Sequence, residues 1–232
     1  RQSKINFVRS LSDDRESGMF QPNTSLRLWY NDGLISYAPH WHSAYEMIVP
    51  MEGNYLVTVS GQTYELTPGD IFLIPSGEPH SLTAPTRGAR FIFLFEFDQI
   101  LAVKGTSFLA SCMSRPMLIN RSTCPAVYAE EAALFGEICT QYLRDDGLRD
   151  ITIYSKLLSL FITYGQVRLN TDGGGAVPQL PHSSVRNYAE RFDAVFNYLD
   201  RHFAEDLTLE DVAAFFETLY DQVVRSGQAL TE

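Results

Sequence analysis

The chain has 232 residues, 45% hydrophobic and 20% charged, which is enough for one sizeable core or for one domain with a small companion. A formal net charge of −10 works against broad attraction to phosphate backbones or anionic membrane. The longest apolar runs, such as residues 91–95, are far too short to cross a bilayer.

The opening stretch RQSKINFVRSLSDD has no apolar core of a secretory signal, so none is expected. Residues 1–19 are polar and weakly patterned, which suits a movable N-terminal arm. Three cysteines, Cys112, Cys124 and Cys139, show no paired spacing and read as reduced thiols of a cytoplasmic protein.

The first half then reads as strands. Residues 26–30 (LRLWY) and 34–38 (LISYA) flank Asn31-Asp32-Gly33, a turn signal between two β-prone runs. Residues 45–51 and 54–60 are joined through Glu52-Gly53, and Ser60-Gly61 leads into a hairpin with residues 62–66. Thr67-Pro68-Gly69-Asp70 is a turn by composition. Residues 71–74 form a short buried strand and 89–97 (ARFIFLFEF) a longer one. Short strands at close spacing with Gly/Pro punctuation argue for a sandwich or barrel. The aromatic run within 91–97 reads as core and pocket wall, not as a stacking platform for bases.

From Pro125 the period changes. Val127, Leu134, Ile138 and Leu143 recur at helical spacing, and after Asp145-Asp146-Gly147 so do Ile151, Tyr154, Leu157, Leu158, Phe161, Ile162 and Val167. These predict two antiparallel helices that cover an open face of the sheet, form a dimer contact, or do both. Residues 171–185 (TDGGGAVPQLPHSSV) read as an interdomain linker, and Gly173–Gly175 lacks the strand and the Lys-Ser/Thr of a phosphate loop. A third helix is expected over 186–202, and Thr208 with Asp211 three residues on is an acidic capping box that should open a short helix.

Ligand-type chemistry concentrates in two places. HWHSAYEMIVPMEG carries H-x-H-x3-E-x6-G on His40, His42, Glu46 and Gly53; GDIFLIPSGEPH carries G-x5-P-x-G-x2-H on Gly69, Pro75, Gly77 and His80. If residues 40–46 are extended, both imidazoles and the carboxylate share parity and point one way, while Trp41 points outward as packing. His80 then arrives from another strand. Three imidazoles and a carboxylate suit a divalent transition metal, Zn, Ni, Fe or Mn, with positions open for water or ligand. The same residues also suit a hydrogen-bonded polar pocket that takes an organic effector without metal. Both readings stand at this level.

The two segments resemble the paired motifs of the cupin superfamily over about residues 33–84. Ala84 stands where that pattern often has Asn, and the leading Gly, Gly33, lies one residue further out; neither change removes a candidate ligand. LTPGDIFLIPSGEPHSL, and the order of barrel, two helices, linker and a helix followed by LTLEDVA, are similar to AraC-type transcription regulators. The resemblance implies a mainly β N-terminal cupin barrel (a double-stranded β-helix, or jelly roll) over residues 20–120. A helical pair serving dimerisation follows at 121–170, then a partial helix-turn-helix DNA-binding domain at 186–232.

It further implies a non-enzymatic, ligand-responsive regulator and homodimer. A small polar effector, such as a sugar, would bind at His40, His42, Glu46 and His80, and DNA would be bound through a full-length C-terminal domain. The rival is a metal-dependent cupin enzyme, a dioxygenase or isomerase, using the same four residues, although no separate general base has an arguable position. The tail departs from the regulator pattern. After Phe216 the chain reads ETLYDQVVRSGQALTE where a basic recognition helix belongs, as though an intervening stretch were missing. From Arg186 onward four arginines face ten acids, a net of −6 that is a poor match for DNA, so no DNA-contacting residue is nominated.

Overall fold

A computed structural model describes residues 10–171 except 13, 18, 19 and 22, together with 202, 208 and 210–215. The chain divides into two units, residues 1–180 and 181–232. The expected helix over 186–201, the linker beyond residue 171 and the segment after Phe215 lie outside the described residues.

Eleven strands are seen among the described residues of the first unit. A small hairpin, β1 (Ser10–Ser12) and β2 (Arg15–Ser17), precedes two antiparallel sheets. The five-stranded sheet runs β11 (Met117–Ile119), β8 (Ile71–Ile74), β5 (Tyr45–Pro50), β10 (Gly88–Phe95), β3 (Leu26–Gly33). The four-stranded sheet runs β4 (Tyr37–His40), β9 (His80–Thr83), β6 (Tyr55–Val59), β7 (Gln62–Leu66). Two short helices, α1 (Asp98–Leu101) and α2 (Ser107–Met113), lead to α3 (Tyr128–Tyr142) and α4 (Arg149–Thr171).

The pleat sorts each central strand into two cores. On β5, Ile48 joins Tyr55, Val57, Leu66, Phe72, Leu82 and Ile92 inside the barrel. Tyr45, Met47 and Val49 instead join Phe93, Phe95, Phe135, Ile153, Leu157 and Phe161 under the helices. Covered on both faces, β5 and β8 are buried at every position. This explains why ARFIFLFEF reads as a near-continuous apolar run: Phe91, Phe93, Phe95 and Phe97 pack under the helices, while Ile92 faces the barrel core and Leu94 a smaller cluster with Ala44. The two predicted helices therefore do cover the sheet.

Two local expectations are corrected. Asn31-Asp32-Gly33 is not a turn: β3 continues through Gly33, paired to Gly88 of β10, and residues 34–36 carry the chain across to the other sheet. Eight ladder pairs with β10 outweigh a local turn preference, and Asn31 donates to the Tyr37 hydroxyl across the crossover (2.9 Å). The strand expected at 34–38 accordingly starts three residues later. Conversely, the β6–β7 hairpin forms as read, with Ser60 (φ 49°) and Gly61 (φ 81°) both in the left-handed region that its two-residue turn needs. In the second unit Thr208 and Asp211 exchange the bonds of a capping box, and residues 210–215 are helical.

Within α3, Glu131 is wholly buried and both carboxyl oxygens lack a hydrogen-bond partner. Burial, with the charge of Glu130 beside it, raises this carboxyl from 4.5 to about 8. Between those values the folded chain binds more protons than the unfolded one, so stability falls as pH rises through that window. Glu131→Gln should therefore flatten the decline in melting temperature between pH 5 and pH 8.5. At pH 8.5 it should gain on the order of 1–3 kcal/mol; parallel melting profiles for the two proteins would count against this.

Candidate metal centre

His40, His42, Glu46 and His80 converge at one end of the barrel, 4%, 2%, 3% and 3% exposed, with one ligand atom from each inside a 4.8 Å sphere of separations. They arrive by a different route from the one parity suggests. Residues 40–46 are not one strand: His40 ends β4, the chain bends at residues 43–44, and Glu46 lies in β5 of the opposite sheet. His42 sits between the sheets, fixed by the turn of the second motif. The Gly77 N–H donates to the His42 carbonyl (2.8 Å), and the Ser76 hydroxyl donates to the Ser43 carbonyl (2.6 Å). His80 opens β9 directly opposite His40 in the ladder. Gly77 (φ 76°) thus makes the contact that places a ligand from the other motif.

Each imidazole is oriented by a backbone carbonyl at Nδ1: Ala38 for His40 (2.8 Å), Ala44 for His42 (3.0 Å) and Glu78 for His80 (2.7 Å). A proton held there leaves every Nε2 directed at the centre, the tautomer a metal requires. Glu46 Oε2 lies 3.0 Å from His42 Nε2 and 3.1 Å from His80 Nε2. Such contacts need either a second proton on each ring or a shared cation between nitrogen and carboxylate. Donor set, orientation and spacing therefore fit a divalent transition ion held by His40, His42, Glu46 and His80, with bonds of about 2.0–2.2 Å after small adjustments.

The electrostatics follow from this packing. Burial alone would raise the Glu46 carboxyl, but hydrogen bonds from His42 and His80, with their charge, hold it well below the usual carboxylate range. Burial alone would lower His80; the bond and charge of Glu46 outweigh it, helped by the Glu78 carbonyl, and His80 is raised.

Sequence reasoning missed a fifth residue. Glu16, on β2, places its carboxylate 3.4 Å from His40 Nε2. The hairpin is tied there by its backbone. The Trp41 N–H donates to the Asp14 carbonyl and the Glu16 N–H donates to the Trp41 carbonyl, both at 2.9 Å, with the Arg15 guanidinium 5.4 Å from the Trp41 ring centre. The described part of the arm is docked on Trp41. Glu16 lies far from either motif and no spacing marks it.

A cleft of about 660 Å3 lies elsewhere, where residues 96–100 meet the start of α4. Its acids are engaged by protein hydroxyls: Thr24 donates to Asp150, Ser25 to Glu96 and Tyr45 to Asp98. No imidazole lines it, so the chemistry stays with the four-residue centre.

A family model described as AraC-like ligand binding domain matches residues 31–161. No curated protein matches the chain. Among solved structures it is similar to a conserved protein of unknown function from Streptococcus pyogenes (20% identity, TM-score 0.28, covering 31% of this chain and 62% of that one). It is also similar to an RmlC-like cupin from Shewanella frigidimarina (27%, 0.29, 32% and 68%). A third is the salicylate 1,2-dioxygenase of Pseudoaminobacter salicylatoxidans (25%, 0.29, 41% and 24%). The chain spans less than two thirds of the first of these and about a quarter of the last.

The pH dependence of the metal-free centre has two limbs. The Glu46 contribution is present above 4.5 and lost as pH falls below it; the His80 contribution is present below 6.5 and lost as pH climbs through its raised value. In chelator-treated protein, the stability gap between wild type and Glu46→Gln should be widest between these two values, at about 3 kcal/mol. A gap that does not vary from pH 3.5 to pH 9 in denaturant titrations would contradict the pairing.

Proposed function

The chain belongs to the family of AraC-like ligand-binding domains, and on that premise we propose that it is the sensor part of a ligand-responsive transcription regulator. A small polar effector binds inside the barrel at His40, His42, Glu46 and His80, anchored by a divalent transition ion such as Zn, Ni, Fe or Mn. The observation that carries this reading is the enclosed set of three carbonyl-oriented imidazoles around one carboxylate, with the hairpin's Glu16 against His40.

In this mechanism the chain's own groups bind and orient. Backbone carbonyls fix the rings, Glu46 balances charge, and the apolar barrel core excludes water. A divalent ion held by His40, His42, Glu46 and His80 would supply Lewis acidity toward an oxygen of the effector. Because Glu16 and the Trp41 backbone join the arm to the ligand segment, effector binding shifts the balance between two arrangements of the arm. No residue acts catalytically.

The domain plan belongs to the same proposal: arm 1–19, sensor barrel 20–120, helical pair 121–170, linker 171–185 and part of a helix-turn-helix domain at 186–232. DNA is bound through the full-length C-terminal domain of a cytoplasmic homodimer. Leu148, Ile151, Ile162 and Leu169, exposed along α4 and the turn before it, support a helical dimer contact. Among the described residues no helix is long and apolar enough to cross a membrane. The complete ligand set favours one other reading, a metal-dependent cupin enzyme, in which the same centre polarises a substrate.

Thermal-shift titration with Zn2+, Ni2+, Mn2+ and Fe2+ should stabilise wild type by about 2.7 kcal/mol at a hundredfold excess over Kd, some 5–10 °C. His42→Ala should lose the response. An equal response in the variant would place binding elsewhere. Sequence-specific DNA binding by the full-length protein, altered by effector, separates regulator from enzyme; turnover without DNA binding would overturn the regulator.

A further inference from the structure

The β1–β2 hairpin brings an acid to the metal centre from outside both motifs. Arg15 bridges Trp41 in parallel, and a backbone bond stands on either side of that bridge: the Trp41 N–H donates to the Asp14 carbonyl, and the Glu16 N–H donates to the Trp41 carbonyl. Alternation along the two segments sets the Arg15 guanidinium over the Trp41 ring and the Glu16 carboxylate beside His40. The backbone thus carries Glu16 to the centre. Its side chain is 12% exposed, against 3% for His40 and 4% for Glu46, so it arrives from the side nearest solvent.

The contact has the form of two donors on one ion. His40 Nδ1 faces the Ala38 carbonyl at 2.8 Å and holds the proton of a neutral ring there, which turns the Nε2 lone pair toward the Glu16 carboxylate at 3.4 Å. Such groups repel unless the ring takes a second proton or a cation stands between them. Atoms bound about 2.1 Å from a common ion are about 3.0 Å apart at a right angle and about 3.4 Å apart at the tetrahedral angle. Glu46 with His42 (3.0 Å), Glu46 with His80 (3.1 Å) and Glu16 with His40 (3.4 Å) all keep that spacing. The charge of Glu16 also acts on His80, whose ring centre is 4.3 Å from that of His40.

Resting on the metal-centre reading, we propose that Glu16 is a fifth ligand, which fills one of the positions left open by His40, His42, Glu46 and His80. The ion then fastens the N-terminal hairpin to the barrel. Metal binding and hairpin docking strengthen each other by the same factor, as linkage requires.

The visible spectrum of the Co2+-loaded chain tests this, because its bands report the number and kind of ligands, and calorimetric titration with Ni2+ accompanies it. Glu16→Gln keeps the shape of the side chain; it should change the Co2+ bands and weaken Ni2+ binding at least about tenfold. Hydrogen exchange at the Glu16 amide should slow on Ni2+ loading in wild type and be indifferent to Ni2+ in the variant. Unchanged Co2+ bands in Glu16→Gln would overturn the fifth ligand and leave the four-residue centre standing. Weaker Ni2+ binding with unchanged bands would overturn it as well, since Glu16 would then act only through His40. Absence of Ni2+ and Co2+ uptake by wild type would overturn both readings. Should circular dichroism show Glu16→Gln unfolded, wild type decides: slower exchange at the Glu16 amide on loading supports the inference, and equal exchange with and without Ni2+ overturns it.

Discussion

A carboxylate sealed inside a protein cannot keep its charge unless something nearby matches it, and at Glu46 that match comes from two imidazoles, His42 in the segment between β4 and β5 and His80 at the start of β9. The rest of the barrel is arranged around this requirement. His42 reaches Glu46 because the turn at residues 75–78 grips its carbonyl, and His80 reaches it because β9 begins at the ladder position facing His40. Each ring is also restrained from behind by a main-chain oxygen, so the nitrogens toward the centre have little freedom to turn away. Remove the carboxylate, and the Nε2 atoms of His42 and His80 lose the partner they share.

That arrangement depends in turn on a sheet with two dry faces. Strand β5 presents Glu46 and Ile48 inward while Tyr45, Met47 and Val49 lock it to Phe95, Phe135 and Phe161 under α3 and α4. The helices therefore act on the centre at one remove, by holding the strand that carries its only carboxylate among the four ligands. The start of α3 is pinned in the same way: the Tyr128 hydroxyl donates to the Gly69 carbonyl at the turn preceding β8.

Much of this was legible in the sequence, for uneven reasons. The two motifs identify the four residues that meet, and apolar spacing identifies both long helices. Convergence nevertheless comes about differently from the parity argument, since a bend at residues 43–44 interrupts the supposed strand and a bond from a distant turn orients His42. Asn31-Asp32-Gly33 misleads because local turn chemistry competes with a ladder formed 55 or more residues away, which no short window contains. β11, α1 and α2 are too short to carry a periodic signal. Glu16 comes to stand beside His40 through the hairpin's backbone bonds to Trp41, and such a long-range bridge is not written in spacing.

The first and last long strands of the barrel, β3 and β10, lie side by side from Leu26 with Phe95 to Gly33 with Gly88. A chain growing from its N-terminus cannot shut the barrel until residue 95 has been made, and all four centre residues lie in the stretch enclosed by that one late seam. Such a long-range closure is slow and is rewarded only when complete. Nascent chains shorter than this would hold the histidines and the glutamate without the cage that brings them together, so assembly of the four-residue centre and completion of the barrel belong to the same moment in the life of the polypeptide.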